Sequence, residues 1–143
     1  VWAEARAEVF GVVWDGATLP HGGSRWMPLA SGTTRPVTGV WGGAPDDVFA
    51  VGMGGTILHY DGRSWSPMAS GTTQWLTRVW GSSGRDVFAV GMGGTILHFD
   101  GTSWSPMTSG STESLFGVWG SSQDDVLVAG AKGTLLKLIR PPR

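Results

Sequence analysis

The sequence predicts an all-β fold assembled from repeated four-stranded antiparallel sheets, and three observations carry that prediction. The first is a fixed period. Trp2, Trp41, Trp80 and Trp119 stand 39 residues apart; Trp26, Trp65 and Trp104 keep the same interval, as do Glu8, Asp47, Asp86 and Asp125. Residues 40–78 and 79–117 are identical at 27 of 39 positions, and a period of about 20–50 residues marks a repeat architecture. The second is composition: 24 Gly and 9 Trp in 143 residues supply tight reversals and regularly placed aromatic rings, as many short strands require. The third is that no segment sustains 3.6-residue apolar spacing between caps, so no helix is predicted.

Within a unit, four runs read as strands: LTRVWG (76–81), DVFAV (86–90), GTILHF (94–99) and SWSPM (103–107). The first three are nearly continuous in apolar residues, as expected of a sheet whose two faces both meet neighbours. The fourth carries a proline in each copy, Pro28, Pro67 and Pro106, which suits an outermost edge strand because the missing N–H blocks further pairing. Asp61-Gly62 and Asp100-Gly101 separate the third and fourth runs and predict a type I′ hairpin, in which both central residues have φ > 0. The stretches GMGG at 52–55 and 91–94 are followed by strand-forming TILHY or TILHF. A phosphate cradle needs a helix N-terminus and usually a lysine there, so these stretches read as the turn between the second and third strands. Four short strands per 39 residues, with tryptophan in fixed places, describe the blade of a β-propeller.

The first strand occurs four times and ends in Trp2, Trp41, Trp80 and Trp119. The second and third also occur four times, the first copy of the third (ATLPHG, 17–22) being degraded, and the fourth occurs three times. The whole chain, 1–143, thus reads as one propeller segment of about 15 strands and about 3.7 blades: 1–37, 38–76, 77–115 and 116–143, the last lacking its outer strand. An open array leaves apolar blade faces uncovered. Two arrangements cover them: two copies closing one ring of about eight blades, or incorporation into a longer propeller. Self-association is the expected state.

The segment VWGSSGRDVFAVGMGGTILHFDGTSWSPMTSGS (79–111) resembles bacterial propeller repeats related to the photosystem II stability/assembly-factor family and to Asp-box, neuraminidase-type repeats. The resemblance covers nearly all of 40–138 and weakly 1–39, and it rests on the core G-x-x-G-T-I-L-x-x-D-G-x-S-W. It departs from an Asp box proper, S-x-D-x-G-x-T-W, in having Asp and Gly adjacent and His where Ser is expected. The assembly-factor side of the resemblance implies a propeller that binds a protein partner.

Charge and composition exclude several functions. A net charge of −1 creates no field to draw nucleic acid, and no apolar run approaches the length of a membrane span. Lys132, Lys137, Arg140 and Arg143 cluster near the C-terminus and read as a solvated basic tail. The sequence has no cysteine, which excludes disulfides and thiolate metal sites but fits either redox compartment; a secreted or periplasmic bacterial setting is the working expectation.

His59 and His98 occupy equivalent places whose counterparts, Pro20 and Lys137, cannot complete a metal site; packing or hydrogen bonding to an adjacent strand is expected. Asp47, Asp86 and Asp125 precede strands and are expected to accept backbone N–H groups in turns. A neuraminidase-type enzyme needs an arginine cluster and a Tyr–Glu pair, whereas this chain has one tyrosine, Tyr60, in a slot that Phe99 fills in the next unit. No nucleophile–base grouping or convergent carboxylate pair stands out, so neither catalysis nor a cofactor or metal is expected.

Binding residues are sought where nearly identical units differ. The connections from fourth to first strand read TTRPVTG (33–39), TTQWLTR (72–78) and STESLFG (111–117). They are expected on one face together with the turns between second and third strands, and binding residues concentrate on such loops. Trp75, Gln74, Thr73, Arg35, Glu113 and Arg78 are the candidates. Trp75, the one tryptophan of the complete units outside the shared positions, is expected to offer an aromatic platform for a protein anchor or a sugar. The predicted function is a non-catalytic protein-binding scaffold. The alternatives are a lectin-like binder, with Trp41, Trp80 and Trp119 lining repeated pockets unless they pack blade on blade, and, more remotely, a glycosidase-like fragment.

Overall fold

The computed structural model describes residues 2–3, 8–12, 18–22, 33 and 35–140, the first three segments as strands only. The first sheet contains β1 (Trp2–Ala3), β2 (Glu8–Val12) and β3 (Thr18–Gly22) in chain order. The second contains β4 (Val37–Ala44), β5 (Asp47–Gly52), β6 (Ile57–Tyr60) and β7 (Trp65–Met68), and the third β8 (Leu76–Ser83), β9 (Asp86–Gly91), β10 (Ile96–Phe99) and β11 (Trp104–Met107). The fourth has three strands, β12 (Leu115–Ser122), β13 (Asp125–Gly130) and β14 (Leu135–Lys137). Every neighbouring pair is antiparallel. This is a β-propeller array of about 3.7 blades; the fourth strand expected around Trp26 lies outside the described residues.

The strand sequences explain the packing. In β9 every residue is buried, and in β5 all but Asp47 are, because both faces of a blade's second strand are covered by adjoining blades. Phe49, Val51 and Ile57 of blade 2 form one core with Leu76, Val79, Val87, Ala89, Leu97, Phe99 and Trp104 of blade 3. A smaller core joins Val90 of blade 3 to Leu115 and Val128 of blade 4. At the outer edge, Pro67 pairs with Leu58 and Pro106 with Leu97 in exposed strands, as an edge proline should.

The repeated Trp-Gly dipeptide is a blade-to-blade joint. A β-carbon on Gly81 would stand 2.8 Å from Cη2 of Trp41, and one on Gly120 would stand 2.5 Å from Cη2 of Trp80. Each indole therefore lies against the glycine of the following blade, where only a hydrogen leaves it room. The Thr38 hydroxyl donates to Leu76 O at 2.8 Å and that of Thr77 to Leu115 O at 2.5 Å, stitching consecutive first strands together. Trp119, with no described blade beyond it, is 57% exposed. Blade-on-blade packing, not repeated sugar pockets, is thus what Trp41 and Trp80 do here.

Two sequence expectations need correction. The third-to-fourth hairpin is not a two-residue type I′ turn. Its loop spans Asp61–Ser64, only Gly62 having positive φ (98°), and Asp61 Oδ1 accepts the N–H groups of Arg63 and Ser64 at 2.9 and 3.0 Å. Asp100 does the same for Thr102 and Ser103. Carboxylate capping of two backbone donors replaces a second left-handed residue, and it holds both aspartates below the usual carboxylate range. GMGG forms the expected turn between second and third strands, a single 3-10 turn at Met53–Gly55 and again at Met92–Gly94. Second, Asp47 and Asp86 take side-chain donors, described below, rather than turn N–H groups.

Candidate functional site

The fourth-to-first connections and the second-to-third turns do share one face, through hydrogen bonds that repeat blade by blade. A hydroxyl first shapes each connection: Thr33 Oγ1 accepts the N–H of Arg35, Thr72 Oγ1 that of Gln74, and Ser111 Oγ that of Glu113, all at 3.0–3.1 Å. The carbonyl of the next residue then docks the turn. Met53 N donates to Pro36 O at 3.0 Å, Met92 N to Trp75 O at 2.9 Å and Ala131 N to Ser114 O at 2.8 Å.

This scaffold presents residues 35, 74 and 113 at equivalent points, each beside a second-to-third turn residue 19 positions on. The guanidinium of Arg35 lies over Gly54, where a β-carbon would overlap it, and the Gln74 amide lies near Gly93. Glu113 pairs instead with Lys132, at 3.6 Å. Lys132 is the sole described non-glycine residue with positive φ (56°). Along the face the charge therefore runs from a cation with no ion pair among the described residues, through a neutral amide, to a neutralised pair.

Trp75 is less of a platform than expected. It is half-buried, and its Nε1 donates to Thr38 Oγ1 on β4, the preceding first strand, at 3.1 Å. The indole is anchored in the blade 2–blade 3 seam with part of its surface on the face. Gln74 and Thr73 are exposed beside it. Arg78, on the innermost strand, is also exposed, and its Nη1 donates to Thr77 O at 2.7 Å and Thr38 O at 3.4 Å. Arg78, Trp75 and Thr38 thus form one connected patch at that seam, with Thr73 and Gln74 at its edge. Arg35 and Glu113 lie at the equivalent points of the blades on either side.

Sequence reasoning missed a second set of polar groups, where the first and second strands of each blade meet. His59 Nε2 lies 2.6 Å from Asp47 Oδ1, and His98 Nε2 lies 2.7 Å from Asp86 Oδ1. The expected hydrogen bond to an adjacent strand is there; the partner is the repeated aspartate. Asp86 also accepts the hydroxyl of Ser82, and Nη2 of Arg140 reaches both its oxygens at 2.8 Å. Burial pushes the Asp86 carboxyl up, but the bonds from Arg140, Ser82 and His98 outweigh it and hold the group below the usual carboxylate range. Arg140 is therefore no solvated tail residue: its side chain is 26% exposed and lies 5.6 Å from the Phe88 ring centroid. Lys132 is paired as well, Lys137 is exposed, and Arg143 lies outside the described residues. Among the described residues no three His, Asp or Glu side chains converge as metal ligands would.

The fold defines the chain as a β-propeller protein built from tandem four-stranded blades. It is similar to the solved structure of YCF48 bound to D1 peptide, with a TM-score of 0.83 at 16% identity, over 98% of this chain and 50% of that one. It is similar too to YCF48 from Cyanidioschyzon merolae, with a TM-score of 0.79 at 18% identity, over 94% of this chain and 48% of that one. The chain thus spans about half the length of these neighbours. They bear out the β-propeller fold read from the repeat. No protein-family model matches the sequence, and no curated protein does.

Proposed function

We propose that the chain is a non-catalytic binding module that engages a polypeptide partner through the face carrying Arg35, Thr73, Gln74, Trp75, Arg78 and Glu113. The observation that carries this reading is the coincidence of variation and geometry. Residues 40–78 and 79–117 are nearly identical, yet side chains that differ between repeats stand side by side on one hydrogen-bonded scaffold. A rigid frame with variable tips is how propeller-like scaffolds present binding residues. The half-exposed Trp75 flanked by Arg78 has the aromatic–arginine composition that dominates binding energy at protein interfaces. The similar YCF48 structure holds a D1 peptide, which supports a peptide or protein ligand over a sugar.

The test is selection of peptides on the folded chain from a displayed library, followed by titration against variants. Trp75→Ala and Arg78→Ala weaken the selected peptide by about tenfold or more each, whereas Ser66→Ala on the outer strand leaves it unchanged. Peptide affinity indifferent to both face variants would remove this face from the reading. Saturable glycan binding at several equivalent sites would favour the lectin alternative.

The exposed side of blade 4 supports self-association. Leu135 is 79% exposed where its blade 2 counterpart, Ile57, is 1% exposed, and Phe116, Trp119 and Leu127 lie on the same blade. We propose that a second copy covers this side, two copies together making a ring of about eight blades, the length of one neighbour. Light scattering then reads twice 15.1 kDa. A monodisperse monomer refutes it and favours incorporation into a longer propeller.

A further inference from the structure

Arg140 shows what the seam between two blades takes, and the equivalent seam one repeat earlier has the same pocket without the arginine. Subtracting the 39-residue period places Gly101 at the position of Arg140, with Asp47, Phe49 and His59 at those of Asp86, Phe88 and His98. Gly101 has no side chain to insert. A cavity of about 480 Å³ opens between blades 2 and 3, its wall including Asp47, Phe49, His59, Arg85, Phe99 and Gly101. We propose that this pocket binds the guanidinium of an arginine side chain on a partner polypeptide, with Asp47 in the role that Asp86 plays for Arg140.

The two carboxylates differ as an occupied and an open site should. Asp86 accepts from Ser82, His98 and Arg140, and its side chain is 12% exposed. Gly43 replaces Ser82 in blade 2. Among the described residues Asp47 keeps the single hydrogen bond from His59, and its side chain is 34% exposed. A partly exposed carboxylate, its Oδ2 against the bare Gly84, beside an aromatic wall suits a planar, weakly hydrated guanidinium better than a compact, strongly hydrated ammonium. Two ligands, one histidine and one aspartate, fall short of a metal site.

Two features limit the affinity without changing its sign. Phe49 is already covered by Phe99 and Trp104, at ring centroid distances of 5.4 and 5.9 Å, so the carboxylate contributes more than ring stacking. Arg85 stands exposed at the rim; it makes no ion pair with Asp47, and its charge opposes an incoming cation and weakens binding. In the occupied seam Arg140 Nε has no partner, so recognition is through the terminal nitrogens. A lone arginine should therefore bind weakly, with a Kd on the order of 1 mM, and a partner chain would add its own contacts. This site lies apart from the face proposed above and does not depend on it.

The probe is Nα-acetyl-L-arginine amide, with Nα-acetyl-L-lysine amide as the control, titrated into the chain while the His59 and His98 ring resonances are followed by NMR. The arginine probe shifts His59 saturably and leaves His98 still; the lysine probe binds at least about fivefold more weakly. Asp47→Asn weakens the His59 response by about tenfold. Arg140→Ala vacates the second seam, so His98 now responds too and the stoichiometry rises from one to two. This gain of a site keeps the proposal testable if Asp47→Asn fails to fold. A His59 resonance indifferent to the arginine probe, an equal response to lysine, or no second site in Arg140→Ala overturns the proposal.

Discussion

The Trp-Gly joint makes the sharpest stability prediction. Alanine at position 81 places a methyl 2.8 and 2.9 Å from Cη2 and Cζ3 of Trp41 and 2.9 Å from the backbone oxygen of Asp86. Contacts that short cannot persist. The indole can retreat only by giving up packing on Phe49, whose ring centroid is 6.3 Å away, while the Asp86 carbonyl belongs to the adjacent strand and moves only with the hairpin. Overpacking of this kind costs about 1–3 kcal/mol, partly offset by about 0.4–1 kcal/mol from stiffening the unfolded chain. The net loss is about 1–2 kcal/mol, or about 3–6 °C in Tm for a chain of this size. Gly117→Ala is the matched control: its nearest new neighbour is the Ala129 β-carbon at 3.8 Å, an ordinary contact, so stability stays within about 0.5 kcal/mol. Urea unfolding of Gly81→Ala, Trp41→Leu and the double variant completes the assay. The clash requires a favourable coupling of about 1 kcal/mol or more, because leucine leaves room for the methyl. Additivity within about 0.3 kcal/mol, or a tolerated Gly81→Ala alone, would refute the joint.

Other outcomes follow from the same contacts. Thr77→Val leaves the buried Leu115 carbonyl without the Thr77 hydroxyl and destabilises the chain by about 1–2 kcal/mol in urea unfolding. The Asp86 carboxyl is held below the usual range in the folded state, so its contribution is complete above the unfolded value, near pH 4, and is lost as pH falls through the folded one. Acid titration of Tm should therefore show a drop below about pH 4 that Arg140→Ala makes smaller. Asp100→Ala removes two backbone-capping bonds and lowers Tm, and Asp100→Asn, which keeps the accepting oxygen, lowers it less.

The repeat period, edge prolines and blade packing were legible from the sequence because each is a local pattern written several times. Trp-Gly recurs at 41–42, 80–81 and 119–120, but only the packed blades show that an indole rests on the next blade's glycine. The hairpin type was misread because Asp-Gly satisfies two solutions. The longer loop prevails because the Asp61 carboxylate supplies acceptors that a type I′ turn would have left pointing at water. The common face of Arg35, Gln74 and Glu113 was legible too, since equivalent loops in a repeat must lie on equivalent ends of the blades.

Tertiary structure decided what crosses between blades. Nothing in the local sequence says that Trp75 reaches back to Thr38, because that contact depends on how closely two first strands approach. Nor does it say that Arg140, in an apparently basic tail, turns onto Asp86, 54 residues earlier. Sequence periodicity determined that blades 2 and 3 would carry the same aspartate and aromatic ring, Asp47 with Phe49 and Asp86 with Phe88. Only the stacking of blades determined which copy would be filled from within the chain and which would stand open. The reason is physical: a side chain's local pattern depends on its own strand, whereas its partner is set by the twist and spacing that bring the next sheet against it.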